Sequence, residues 1–154
     1  MDFSSILKPE AVKVIHSASS KKRLFHQLGE LVGSAYGFDV ESTCEALLDR
    51  ESLGPTGVGR GVALPHARLE GIDTVAGVFI RLETPLEFDS VDRQPVDLIF
   101  ALLAPTDSGV DHLKALALVS RTLREASICA KLRANDSAQI LHTILTEDPA
   151  TQAA

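Results

Sequence analysis

Apolar positions along the chain change spacing twice, and those changes mark out its elements. From Ser20 to Tyr36, Leu24, Phe25, Leu28, Leu31, Val32 and Ala35 recur at helical spacing, while Lys21, Lys22, Arg23, Gln27 and Glu30 fall mostly on the other side. This predicts an amphipathic helix that Gly37 stops. Asp39 suits the N-cap of a second helix reaching about Glu51, with Val40, Cys44, Leu47 and Leu48 as its buried stripe. Beyond a loop from Gly54 to Gly61 the pattern shortens. Val62 to Pro65 reads as one strand, Val75 to Leu82 as another that Thr84-Pro85 breaks, and Leu86 to Phe88 as a short edge strand. Asp89 to Pro95 is turn-like, and the apolar run Val96 to Leu103 has the length of a central strand. Helical spacing then returns, with Leu113, Leu116, Ala117, Ser120 and Leu123 sharing a face between Val110 and Glu125. A short piece around Ile128 to Leu132 and a last helix from Asp136 to Leu145 follow. Phe3 to Ile15 gives no firm assignment. Helices at both ends of a mixed β-sheet predict an α/β (α+β) sandwich.

Composition narrows the class. The chain's 154 residues read as a single domain, with an ordered core over 3–145 and a flexible tail over 147–154. With 45% hydrophobic and 23% charged residues the chain is globular rather than disordered. Its formal net charge of −6 disfavours nucleic acid and anionic membranes, both of which reward clustered Lys and Arg, and leaves protein partners open. Cys44 and Cys129 form no framework and read as small core hydrophobes. The N-terminus lacks the pattern of a signal peptide, and Leu98 to Ala104, the longest apolar run, falls far short of the ~20 residues needed to span a bilayer. A cytoplasmic protein is expected.

Chemistry concentrates in Gly57-Val58-Gly59-Arg60-Gly61-Val62-Ala63-Leu64-Pro65-His66-Ala67-Arg68, where alternate glycines run into a short strand ending at a Pro-His pair. Glycine leaves amide N–H groups uncovered, so Gly57, Gly59 and Gly61 are candidates to hold an anion by their backbone. Proline lacks a donor, so strand pairing is expected to end at Pro65 and His66 to be presented rather than buried. A histidine that merely caps a strand end is the plainer alternative. Metal binding is poorly supported, because only Glu70 offers a second ligand nearby; no nucleophile elbow and no P-loop lysine appear either. What remains is an imidazole that itself carries a group. Neutral imidazole accepts a phosphoryl group when its other nitrogen is held by a hydrogen bond and donors meet the transferred charge. Arg50, Arg60 and Arg68 are the nearby guanidinium forks suited to that charge.

Of the other histidines, His26 and His142 flank helix stripes and read as partly exposed, and His16 has no nameable partner. His112 falls in the first turn of a helix, where the positive end of the dipole favours neutral imidazole and nearby anions.

The run from Asp49 to His66 resembles the active-site segment of enzyme IIA of the fructose/mannitol type in the phosphoenolpyruvate-dependent phosphotransferase system. A second run, from Leu82-Glu83-Thr84-Pro85 to Leu103-Ala104-Pro105, resembles the nitrogen-regulatory branch more than the sugar-specific ones. The resemblance extends from about Phe3 to Leu145. It implies a mixed sheet flanked by helices on both faces, no cofactor and no metal, and a phosphotransferase component with a phosphohistidine intermediate. His66 then accepts phosphate on Nε2 from a phosphorylated HPr-like carrier. Arg50 matches the family's active-site arginine, which neutralises phosphoryl charge, and His112 its second histidine, which orients or polarises the site. Regulatory targets such as potassium-transport regulators or sensor kinases would read the phosphorylation state.

Two departures stand out. Family members often have glycine where Ala67 stands, so Ala67 is expected at ordinary φ. They often have a small or polar residue in place of Arg60, which is therefore an added phosphate contact, a docking residue or a solvated loop arginine. Two readings stay open beside the regulatory one: a sugar-specific IIA that passes phosphate to a IIB domain, and a binding module in which His66 is structural.

Overall fold

The computed structural model describes residues 1–147. The expected tail over 147–154 lies, apart from Glu147, outside the described residues. Two short 3-10 turns, Phe3–Ser5 and Pro9–Ala11, lead into β1 (Val12–Ile15). Then come α1 (Lys21–Tyr36), α2 (Val40–Ser52), β2 (Gly57–Gly59), β3 (Val62–Ala63), β4 (His66–Leu69), β5 (Ala76–Leu86) and β6 (Val96–Pro105). Helices α3 (Val110–Leu123), α4 (Ala126–Arg133) and α5 (Ala138–Thr146) close the chain.

The six-stranded sheet runs β1-β5-β6-β3-β2, with β4 also on β6. Strands β5 and β6 are antiparallel, as are β2 and β3, whereas β1 on β5 and both β3 and β4 on β6 are parallel. The sheet is thus mixed, and helices flank it, as the sequence predicts. The continuous apolar run of β6 marks the central strand: every residue from Leu98 to Ala104 is buried.

The first two helices start and stop where their caps dictate. Ser20 accepts the Arg23 N–H, Gly37 ends α1 in the left-handed region at φ 76°, and Asp39 accepts the Ser42 N–H at 2.8 Å. The face of α2 differs from the predicted stripe. Thr43, Leu47 and Glu51 are its buried residues, and Val40, Cys44 and Leu48 are half-buried. The Thr43 hydroxyl donates to the Asp39 carbonyl, which lets a polar residue sit on the buried side.

The strands also depart from expectation. Val12–Ile15, for which the sequence predicts no element, is edge strand β1, paired with Phe79 to Leu82. Pro85 does not break β5. Pairing with β1 ends at Leu82, and pairing with β6 is irregular between Arg81 and Leu86, so the missing donor falls where no partner needs it. Nor does Pro65 end its strand. His66 opposite Leu102 keeps the register of Val62 opposite Leu98, so proline opens a gap between β3 and β4 while the chain continues along β6. Of the predicted arc of α3, Leu123 is buried and Leu116 and Ser120 are half-buried, but Leu113 is 66% exposed, and His112, Ala115 and Val119 complete the buried face. The buried face carries a histidine, which an arc chosen by hydrophobicity alone passes over.

Candidate functional site

Strand β4 alternates sides, with Ala67 and Leu69 in the core and His66 and Arg68 on the opposite side. Ala67 has ordinary φ, as expected. His66 is half-buried, and its Nδ1 lies 2.9 Å from the Leu64 carbonyl oxygen. A carbonyl only accepts, so Nδ1 carries the proton, and neutral His66 keeps its lone pair on Nε2.

His112 comes to this strand from the first turn of α3. The two imidazole rings meet edge to face, with centroids 5.6 Å apart and planes at 68°. His112 is 6% exposed, and its buried Nε2 has no hydrogen-bond partner among the described residues. Burial, then the proximity of His66 and Arg68, holds its pKa below the ordinary imidazole value. An unpartnered buried nitrogen costs stability and calls for an explanation, which makes this atom a candidate contact for a bound group.

Arg68 fixes the pair's geometry. Its Nη1 donates to the carbonyls of Pro105, Thr106 and Ser108 at 3.2, 3.4 and 2.7 Å, tying the β6-to-α3 connection to β4. Among the three candidate arginines, Arg68 is therefore the one placed beside the histidines. Arg50, from the last turn of α2, donates to the Gly54 carbonyl at 3.1 Å and hydrogen-bonds neither histidine. Its helix nevertheless packs against β4.

The glycine run is an irregular hairpin rather than an open loop. A Cβ on Gly57 would lie 2.2 Å from Ser90 Oγ, one on Gly59 3.3 Å from Asp92 Oδ2, and one on Gly61 2.8 Å from Asp97 Oδ1. The Arg60 N–H donates to the Asp92 carboxylate at 2.9 Å. These glycines let the 89–97 segment approach closely, and at Gly61 the nearest atom is Nη2 of Arg133, 2.6 Å from where a Cβ would sit and paired with Asp97. Arg60 faces elsewhere too. At φ 58°, it sends Nη1 to the Arg124 carbonyl at the end of α3, 3.1 Å away. Its place is a helix C-terminus, where a guanidinium meets the negative end of the dipole.

Sequence reasoning also missed Glu51. It is 8% exposed, pairs with Lys21 Nζ at 2.8 Å, and accepts both the backbone N–H and the hydroxyl of Thr56. Lys21, on the side of α1 opposite the apolar stripe by spacing, brings its ammonium 4.4 Å from the centre of the buried Phe88 ring. Periodicity offers no signal for either contact. His16 lies 3.8 Å from Glu83, and His142 Nε2 bonds the Leu7 carbonyl, so both stand apart from the site. Among the described residues no group of three or more His, Cys, Asp or Glu could hold a metal ion, and no helix is long and apolar enough to cross a membrane.

The depressed pKa of His112 sets a pH dependence. Unfolded imidazole takes its proton near pH 6.5, and the folded His112 resists it to lower pH. Between the two values unfolding takes up a proton, so stability falls as pH falls. Urea midpoints are expected to drop on acidification below about pH 6.5, and less steeply in His112→Gln. Equal slopes would show that His112 titrates alike in both states.

Comparison with known proteins adds a second line of observation. The family described as "Phosphoenolpyruvate-dependent sugar phosphotransferase system, EIIA 2" matches residues 5–147. The chain is 43% identical over 153 residues to a nitrogen regulatory protein of Bradyrhizobium diazoefficiens, covering 99% of this chain and 100% of that one. It is 42% identical to one from Escherichia coli K12 over 153 residues, 98% of this chain and 93% of that one. Among solved structures, the nitrogen regulatory protein IIA-Ntr of Neisseria meningitidis aligns with a TM-score of 0.86 at 37% identity, over 94% of this chain and 99% of that one.

Proposed function

Because the chain belongs to the phosphoenolpyruvate-dependent sugar phosphotransferase system EIIA 2 family, we propose that His66 carries a phosphoryl group on Nε2, received from a phosphorylated histidine of an HPr-like protein. The observation that carries this reading is the hydrogen bond from His66 Nδ1 to the Leu64 carbonyl, which leaves Nε2 as the nucleophilic nitrogen. The Nε2 lone pair forms the new N–P bond as the N–P bond of the donor breaks, and the leaving imidazole of the donor keeps that electron pair. In a loose transition state charge spreads over the equatorial oxygens, so placement and electrostatics supply most of the acceleration. The imidazole of His112, edge-on to His66, and the positive end of α3 lie near that charge. Arg50 reaches it by leaving the Gly54 carbonyl when the phosphoryl group arrives.

The purpose of the transfer is regulatory, a reading supported by relatives named nitrogen regulatory protein along nearly the whole chain. Phosphorylation adds about −1.5 to −2 charges to a chain already at −6 and changes which partner surfaces it tolerates. Incubation with phosphoenolpyruvate, enzyme I and an HPr-like carrier, read by intact mass, tests the proposal. One acid-labile phosphate is expected, and no gain overturns the reading. Adding a sugar-specific IIB distinguishes purposes: phosphate that stays on the chain supports regulation, and rapid drainage to IIB supports sugar uptake.

A further inference from the structure

We propose that Glu51 is a positioning residue for His66, acting through a chain of contacts that fixes the tautomer of its ring; this rests on the reading of His66 as phosphoryl acceptor. The chain starts in the first turn of α1, where Lys21 Nζ lies 2.8 Å from Glu51 Oε2 at the end of α2. Glu51 Oε2 accepts the Thr56 N–H at 2.9 Å, and Oε1 accepts the Thr56 hydroxyl. The Thr56 carbonyl accepts the Leu64 N–H at 3.0 Å. The Leu64 carbonyl, finally, accepts the proton on His66 Nδ1 at 2.9 Å.

Each link is placed where water competes poorly, because Glu51, Thr56 and Leu64 are all buried. A buried carboxylate needs its partners, and here both oxygens are satisfied while Lys21 balances the charge. At Thr56 and Leu64 the path crosses Cα from one peptide unit to the next. What passes along it is therefore position rather than polarisation: Glu51 holds Thr56, Thr56 holds the Leu64 peptide, and the Leu64 carbonyl is kept on the ring. Pro65 strengthens the last step by fixing the backbone between that carbonyl and His66.

Two properties of the free protein and its phosphorylation test this. In Glu51→Gln, which keeps shape and one acceptor oxygen but loses the charge opposite Lys21, the Nδ1–H population of His66 is expected to fall in histidine ¹⁵N spectra. Phosphoryl acceptance from the HPr-like carrier is expected to slow by about 10- to 100-fold, the scale of a small misplacement of a reacting atom. Thr56→Val, lacking the hydroxyl, moves both readouts in the same direction, and Thr56→Ser restores them. Thr56→Val also serves where Glu51→Gln does not fold. An unchanged tautomer in the folded variants, or an unchanged rate beside an altered tautomer, overturns the proposal. The tautomer is read without phosphate, so failure here is distinct from failure of His66 to accept phosphate.

Discussion

His66→Ala is expected to take up no phosphate from a phosphorylated HPr-like carrier while remaining folded. The substitution removes the nitrogen that carries a free lone pair in the tautomer held by the Leu64 carbonyl. Loss of at least about three orders of magnitude in rate is the expectation for deleting the reacting group itself. The fold tolerates the change, because His66 is half-buried and gives up one hydrogen bond, worth about 0.5–1.5 kcal/mol. Intact mass and a thermal melt on the same sample check both halves. Phosphate retained in His66→Ala, mapped to a peptide containing His112, would reverse the roles of the two histidines.

The second large effect lies in the core beneath the site. Phe100 is fully buried at the middle of β6, edge-on to Phe3 with centroids 5.6 Å apart and 6.2 Å from Phe79 on the neighbouring strand. Truncation to alanine leaves a cavity that the flanking strands cannot close, at a cost of about 3–5 kcal/mol. A domain with roughly 5–15 kcal/mol in total loses a large fraction of its stability. In urea the midpoint should fall with the slope retained. Since β3 and β4 both hang on β6, phosphate uptake should decline with the folded fraction. A cost below about 1 kcal/mol would mean that β6 does not anchor the core.

Parts of the chain differ in how openly the sequence declares them. Elements whose signals are local were legible: Ser20 and Gly37 bracket α1, Asp39 begins α2, and the apolar run after Pro95 is the central strand. Elements made by pairing were not. Strand β1 is four residues long, and β4 continues past a proline only because β6 supplies the register on both sides of it. The α3 face was misjudged for a related reason, since a histidine on the buried side lowers the apparent hydrophobicity of the face that packs.

The site shows the same division. His66 stands out from its Gly-rich approach and Pro65, whereas its meeting with His112 depends on α3 packing back against β6, and only the family resemblance points to His112. The three nearby arginines were indistinguishable by spacing. The fold sends Arg60 to the end of α3 and Arg68 to the loop before it, and leaves Arg50 on the Gly54 carbonyl. The glycines of the approach, candidates for an anion by their uncovered amides, also make room for Ser90, Asp92, and the Asp97–Arg133 pair, which no spacing along the chain discloses.

If the Leu64 carbonyl selects which nitrogen of His66 reacts, the phosphorylated protein labelled with ¹⁵N-histidine shows it directly. Phosphorus–nitrogen coupling is predicted at Nε2 of His66, with Nδ1 still protonated. Coupling at Nδ1 of His66, or at either nitrogen of His112, would contradict the account.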